Sequence, residues 1–128
     1  MALTGFDHVV VRVKDFDAGV ATYRDGLGLT LDRTAESDAL GIKQAFFNLP
    51  DGGFLEVVAP TSPESAVGRA LESRGEGIHT FAMAVDDLAA TVEALKANDV
   101  QLIGEGGPQV FVHPKSAHGV LLQLSQRK

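Results

Sequence analysis

The 128-residue sequence contains no cysteine, and this absence removes several kinds of chemistry. Without thiols there is no disulfide framework, no thiolate nucleophile and no zinc–thiolate site. Any catalytic or ligand-binding group must therefore be a histidine, carboxylate, amide or hydroxyl side chain.

Positive charge and long apolar segments are also scarce. The 11 Lys and Arg residues are outnumbered by 17 Asp and Glu residues, which gives a formal net charge of -6. Because nucleic acids and anionic membranes bind clustered cations, and these cations are scattered, we expect neither as a partner.

No apolar run approaches the roughly 18 residues of a membrane span, and the N-terminus lacks the pattern of a secretion signal. The expected location is the cytoplasm.

Two stretches of the chain resemble each other. Val13-Lys-Asp-Phe16 aligns with Val85-Asp-Asp-Leu88, each at the end of a β-branched or apolar run. In this alignment His8 falls on Thr80 and not on the neighbouring His79. The chain therefore uses one unit twice, with a difference at the histidine.

Each repeat predicts the element order β-α-β-β-β. Alternating valines indicate the first strand, and Asp15 is a suitable N-cap for the helix that follows. We predict a single domain over residues 1–128, with module one at about 5–60, a crossover at 61–75 and module two at about 77–126. Two modules of this size would share one core, which predicts an α+β fold.

The turn Pro50-Asp-Gly-Gly53 predicts a hairpin whose length decides which way Gln44 faces. A three-residue bulged turn puts Gln44 on the same face as Glu56, whereas a two-residue turn puts it on the other. Both turn lengths fit the sequence. The glycines of Gly104-Glu-Gly-Gly107 are not followed by a helix, so we interpret them as a connection and expect no nucleotide cofactor.

Several motifs spread over nearly the whole chain carry a family resemblance. They are His8-Val-Val-Val-Arg-Val-Lys-Asp15, Tyr23-Arg-Asp-Gly-Leu-Gly-Leu29, Leu55-Glu-Val-Val-Ala-Pro60, Gly75-Glu-Gly-Ile-His79, Val85-Asp-Asp87, His113-Pro-Lys-Ser116 and Gly119-Val-Leu-Leu-Gln-Leu124. The sequence resembles the vicinal oxygen chelate superfamily, which includes glyoxalase I, extradiol dioxygenases and bleomycin-resistance proteins. Within it the motifs are most similar to those of methylmalonyl-CoA epimerases.

The resemblance implies two tandem βαβββ modules whose mixed sheet curves into a cradle, the glyoxalase-like fold. It also implies a divalent metal held by the first and last strands of each module, at positions that correspond to His8, Glu56, Thr80 and Gln123. The family's second histidine is Thr80 here, and its last-strand glutamate is Gln123. An opposing catalytic base of some members falls on Gln44. Half of the implied metal site and both implied bases are therefore changed.

The remaining strong donors are His8 and Glu56, for which we predict metal ligation or, without metal, proton transfer. With Gln123 and water they would form a weak metal site, because amide and hydroxyl oxygens replace the ligands that first-row ions prefer. Gln44 and Gln123 cannot take a proton but can donate a hydrogen bond to a developing oxyanion. A core histidine and ordinary polar strand residues are the competing interpretations. His79 should face away from Thr80 unless a bulge intervenes.

Five further residues are predicted to contact a ligand: Thr80, Phe47, Phe111, His113 and Lys115. The last two lie at a hairpin tip, where a solvated turn is the alternative.

We predict an epimerase-like or glyoxalase-like isomerase or lyase that moves a proton beside the carbonyl of a small acyl or keto compound. The alternatives are a metal-dependent isomerase or lyase and a metal-free, resistance-type protein that binds a hydrophobic ligand. As in many family members, a homodimer is expected.

Overall fold

A computed structural model describes residues 3–126. Its elements are β1 (Leu3–Arg12), α1 (Phe16–Ala21) continuing as a π-helical turn (Thr22–Gly26), β2 (Thr30–Ser37), β3 (Ile42–Asn48), β4 (Phe54–Pro60), α2 (Ala66–Arg74), β5 (Gly77–Val85), α3 (Leu88–Ala97), β6 (Leu102–Ile103), β7 (Val110–Val112), a 3-10 turn (Pro114–Ser116) and β8 (Leu122–Gln126). Both predicted β-α-β-β-β runs are present. Within residues 3–126, no helix is long and apolar enough to cross a membrane.

The chain divides into two compact units. Residues 9–79 form one, called here the Glu56 unit, and residues 3–8 with 80–126 form the other, called the His8 unit. These boundaries cut through β1 and β5, unlike the module boundaries expected from the repeat. The single-domain organisation stays a prediction.

The Glu56 unit has the strand order β2-β3-β4-β1. Asp15 caps α1 as predicted, since its Oδ1 accepts a hydrogen bond of 3.1 Å from the backbone N–H of Ala18. One side of the sheet packs on α1 through a core of buried residues: Val13, Val20, Ala45, Phe47, Val57 and Ala59. The other side packs on α2 through Val10, Ile42, Val58 and Val67. The sheet is therefore covered by α1 on one face and by α2 on the other.

Two elements of this unit have ends that specific contacts explain. Helix α2 begins at Ala66, after Pro63, because Ser65 Oγ accepts a hydrogen bond of 3.0 Å from Gly68 N–H and so caps the helix there. Strand β2 continues to Ser37 although its last two residues, Glu36 and Ser37, are polar. Its polar residues lie on an edge strand, and their backbone still pairs with β3 as far as Ser37 opposite Ile42.

The His8 unit has the strand order β5-β8-β7-β6. Strands β5 and β8 are parallel, whereas β8 with β7 and β7 with β6 are antiparallel, so the pairing is mixed. Asp87 caps α3 as in the first repeat, and the core consists of Val85, Val92, Val110, Val112 and Leu124. The predicted α+β fold with mixed strand pairing is confirmed.

Candidate functional site

Glu56 is a buried carboxylate in the middle of β4. The residue is 8% exposed and lies between Leu55 and Val57 on a strand whose other residues are mostly apolar. A buried carboxylate is costly unless it is hydrogen-bonded or paired. The structure supplies such a partner on the neighbouring strand.

The partner is Gln44 on β3, whose Nε2 donates a hydrogen bond of 3.0 Å to Glu56 Oε2. The hairpin explains this contact. The backbone N–H of Leu49 donates to the carbonyl of Gly53 over 2.9 Å, and this bond closes a loop of three intervening residues. In the resulting register Phe46 lies directly opposite Glu56, so Gln44, two residues earlier, faces the same way. The three-residue alternative is therefore the one that occurs.

The same alternation corrects the prediction for Phe47. This side chain is 0% exposed and packs in the core against α1, on the face opposite Phe46 and Glu56. Since residues one apart on a strand point to opposite faces, Phe47 cannot share a ligand surface with Glu56. Phe46 takes that position instead.

His8 is buried in β1 and is held by the residue before it. Its Nδ1 lies 2.7 Å from Asp7 Oδ2, and the two residues are 6% and 9% exposed. With the proton on Nδ1 donated to the carboxylate, Nε2 carries the lone pair of the neutral ring. In that tautomer Nε2 is the ring atom that can accept a proton.

Sequence reasoning missed Asp7 because strand alternation predicts that adjacent side chains face apart. Its short side chain nevertheless reaches the neighbouring ring. An acidic residue directly before His8, in Gly5-Phe-Asp-His8, was the signal available in the sequence.

Three other predicted residues share one face of the His8 unit. Gln123 on β8 lies opposite Ala82 on β5 and opposite Phe111 on β7. Thr80, two residues before Ala82, therefore faces the same way and is 5% exposed. The face combines a buried hydroxyl, an amide and an aromatic ring.

The hairpin-tip residues have structural roles of their own. His113 caps the 3-10 turn, since its Nδ1 accepts a hydrogen bond of 3.0 Å from the backbone N–H of Lys115. The side chain of Lys115 is exposed. Ligand binding by His113 and Lys115 stays a prediction.

His79 belongs to the Glu56 unit and lies in a cationic environment. Its Nδ1 is buried without a hydrogen-bond partner among residues 3–126. Burial lowers the pKa of His79 to about 4, and the positive charges of Arg12 and Arg74 act in the same direction. Strand β5 runs through this residue as continuous strand. Surroundings that oppose a positive charge do not favour His79 as a replacement metal ligand.

A four-ligand metal site does not fit these side chains. Only His8 and Glu56 of the four family positions offer an imidazole or a carboxylate, and one oxygen of Glu56 already accepts the Gln44 hydrogen bond. Across residues 3–126, no three His, Asp or Glu side chains are grouped closely enough to hold an ion. Thr80 and Gln123 contribute neutral oxygens, which bind first-row ions weakly. The chemistry below is therefore derived without a metal.

The fold and these residues define a class: an α+β protein of repeated βαβββ modules that buries a hydrogen-bonded carboxylate and a carboxylate-held histidine. Residues 6–126 match the family model described as Glyoxalase-like domain. The chain belongs to this glyoxalase-like family, as its motifs predicted. The predicted fold class is confirmed with it.

Two relatives illustrate the range of the family. The ethylmalonyl-CoA/methylmalonyl-CoA epimerase of Cereibacter sphaeroides is 30% identical over 94% of this chain and 96% of its own length. The lactoylglutathione lyase of Haemophilus influenzae is 33% identical over 79% of this chain and 73% of its own length. The chain is thus similar to isomerases and to lyases.

Solved structures agree with this placement. Methylmalonyl-CoA epimerase from Mycobacterium tuberculosis superposes with a TM-score of 0.89 and 33% identity, covering 99% of this chain and 90% of that one. A variant of the Streptomyces coelicolor methylmalonyl-CoA epimerase, in complex with 2-nitronate-propionyl-CoA, gives a TM-score of 0.84 and 32% identity, covering 98% of both chains.

Proposed function

We propose that the protein is an epimerase-like enzyme that moves a proton at the carbon next to the carbonyl of an acyl thioester. The observation that carries the proposal is the buried Glu56 carboxylate held by Gln44 Nε2 at 3.0 Å. A positioned carboxylate in a mostly apolar strand is suited to general-base catalysis, because it is oriented and poorly solvated. The similarity to epimerases supports the choice of a thioester.

In the proposed reaction Glu56 takes the proton from the α-carbon, and the electron pair of the C–H bond passes into the enolate of the thioester. Gln44 has a second N–H, which can donate to the developing oxyanion. Return of a proton to the α-carbon completes the exchange. If the proton returns on the opposite face, the product is the epimer.

The role of His8 is proposed from its own unit. Asp7 Oδ2, at 2.7 Å from Nδ1, holds the ring in one orientation, and the proposed tautomer has the proton on Nδ1 and the lone pair on Nε2. His8 is then the second group able to accept and return a proton, and Asp7 is its positioning residue. Thr80 and Phe111 remain proposed ligand contacts on the face they share with Gln123.

Deuterium wash-in tests the reaction. Methylmalonyl-CoA incubated in D2O with the wild-type protein should gain deuterium at the α-carbon, followed by mass spectrometry. The variant Glu56→Gln should exchange roughly 10²–10⁴ times more slowly, because general-base catalysis typically contributes that much. Glu36→Gln, which removes an exposed carboxylate from β2, is the matched control and should behave as wild type.

Exchange by Glu56→Gln at the wild-type rate would contradict the proposal. Ligand binding without turnover, unchanged by Glu56→Gln, would instead favour the metal-free binding protein. A metal-dependent isomerase or lyase makes a different prediction: Mn, Co, Ni or Zn salts would raise the melting temperature, and His8→Ala would abolish the rise. We expect no such ion-specific shift, given the donor set described above.

The homodimer and the cytoplasmic location also stay proposals. Family members often pair, and exposed large apolar side chains such as Leu27 and Leu40 leave surface for a partner. Light scattering coupled to size-exclusion chromatography measures the mass in solution, and a 13.5 kDa species would contradict the dimer.

A further inference from the structure

Three side chains form a row across the Glu56 unit, from its edge to the buried carboxylate. Arg33 on β2 pairs directly with Phe46 on β3, and Phe46 pairs directly with Glu56 on β4. Directly paired residues place their side chains on the same face of a sheet. Because adjacent strands are about 4.8 Å apart, the backbones of Arg33 and Glu56 are separated by roughly 10 Å.

The side chains of this row are in contact. The guanidinium carbon of Arg33 lies 4.0 Å from the centroid of the Phe46 ring, within the range of a cation–π interaction. A second ring, Phe54, lies next to Phe46 with the centroids 6.0 Å apart and the planes at 54°. A cation therefore sits beside a pair of aromatic rings.

Exposure decreases along the row towards the carboxylate. The side chain of Arg33 is 61% exposed, both phenylalanines are half-buried, and Glu56 is 8% exposed. Helix α2 covers the far end of the same face, around Ile42 and Val58. Phe46 and Phe54 keep part of their apolar surface accessible, which core phenylalanines such as Phe47 do not.

The charge of Arg33 is only loosely compensated. The nearest carboxylate paired with it is Asp32, at 3.9 Å from Nε to Oδ2, and the Asp32 side chain is itself 46% exposed. An exposed pair at this distance is weak. The planar guanidinium, with its fork of N–H donors, can therefore still bind an anion, and phosphate matches that fork well.

We propose that Arg33, Phe46 and Phe54 bind the carrier arm of a coenzyme A thioester whose acyl group is placed at Glu56. The apolar part of the arm lies over the two rings, and phosphate oxygens accept hydrogen bonds from the Arg33 guanidinium. A small keto acid carries no phosphate for the guanidinium, whereas an acyl group on a phosphate-bearing carrier can reach Glu56 and Arg33 together. This inference rests on the proposed function and names the features that select its substrate.

The test compares two thioesters with the same acyl group, propionyl-CoA and propionyl-N-acetylcysteamine, which lacks the phosphates. Affinities are measured by calorimetry, so that no turnover is required. We expect Arg33→Gln to weaken the binding of propionyl-CoA by about tenfold or more, since a charge-assisted hydrogen bond is lost. The short thioester should bind the variant and the wild type equally well.

Two variants serve as controls. Arg69→Gln removes an exposed charge from α2 in the same unit and should leave both affinities unchanged. Arg33→Lys keeps the charge but loses the planar fork, and should fall between wild type and Arg33→Gln. Raising the salt concentration should weaken propionyl-CoA binding more for the wild type than for Arg33→Gln.

The inference is overturned if Arg33→Gln affects both thioesters alike, affects neither, or has no more effect than Arg69→Gln. These results leave the proposed function standing, because the wild type would still bind and exchange the CoA thioester. If the wild type binds the short thioester but not propionyl-CoA, the carrier arm is excluded directly. If it binds neither, the acyl-thioester function fails together with the inference.

Discussion

Replacing Gln44 by methionine tests the contact on which the candidate site depends. Methionine keeps the length of the side chain but cannot donate a hydrogen bond to Glu56 Oε2, which accepts one over 3.0 Å in the wild type. A buried polar group that loses a hydrogen bond costs about 1–3 kcal/mol, and more when the group is charged. We therefore expect the free energy of unfolding to fall by about 2 kcal/mol or more.

Urea denaturation measures this change. With a denaturant slope of about 1.5 kcal/mol/M for a domain of this size, 2 kcal/mol corresponds to a midpoint lowered by roughly 1 M. Gln109→Met is the matched control, because this glutamine is exposed. Its effect should stay within about 0.5 kcal/mol.

A double-mutant cycle shows whether the contact itself is responsible. Glu56→Met removes the acceptor, and the variant with both methionines removes donor and acceptor together. Replacing both partners by apolar groups is less costly than the sum of the single changes, so we expect a coupling energy of about 1–3 kcal/mol. Strictly additive effects would refute the reasoning, since the two side chains would then not be energetically linked.

Three further predictions concern stability and are measured by the same method. Phe47→Ala should cost about 3–5 kcal/mol because the ring is wholly buried, whereas Phe46→Ala should cost clearly less; equal losses would contradict the core assignment. Gly68→Ala should destabilise the protein despite the better helix propensity of alanine, since the new Cβ would lie 2.7 Å and 2.8 Å from two backbone carbonyl oxygens. Gly5→Ala is its control, because a Cβ there would have nothing within 4 Å. A stabilised Gly68→Ala would contradict the prediction, since the backbone at Ser62 and Pro63 would then shift at little cost. The lowered pKa of His79, about 4 against 6.5, means that the unfolded chain binds the extra proton first, so stability should fall as the pH drops from 6.5 towards 4. His79→Asn should lose less stability over that interval, and an unchanged pH dependence would contradict the assignment.

Much of the fold could be predicted from the sequence because its signals are local. Val9, Val10, Val11 and Val13 favour a strand, Asp15 and Asp87 cap the helices that follow, and the repeat shows that the same order occurs twice. The boundaries of α2 and β2 do not follow from such local signals. Helix α2 begins where Ser65 caps it and not at Pro63. Strand β2 extends through polar residues because its backbone pairs with β3 as far as Ser37.

The candidate site was predicted as a set of residues but not as an arrangement. His8, Glu56, Gln44, Thr80 and Gln123 were identified from the repeat and the family motifs, as was the replacement of a histidine and a glutamate by Thr80 and Gln123. Alternation along a strand gives only relative faces, so the face of Gln44 depended on how many residues close the hairpin. That number depends on the tertiary structure.

The sequence by itself determined the chemical inventory of this protein: no thiols, one repeat with a retained histidine, one with a threonine in its place, and amides at two expected carboxylate positions. Only the tertiary structure decided the pairings, namely Gln44 with Glu56, Asp7 with His8, and Arg33 with Phe46. The physical reason is that an inventory follows from residue types. Pairing follows from register and burial, which depend on neighbouring strands, and from rotamers, which decide the contact of Asp7 with His8 within β1.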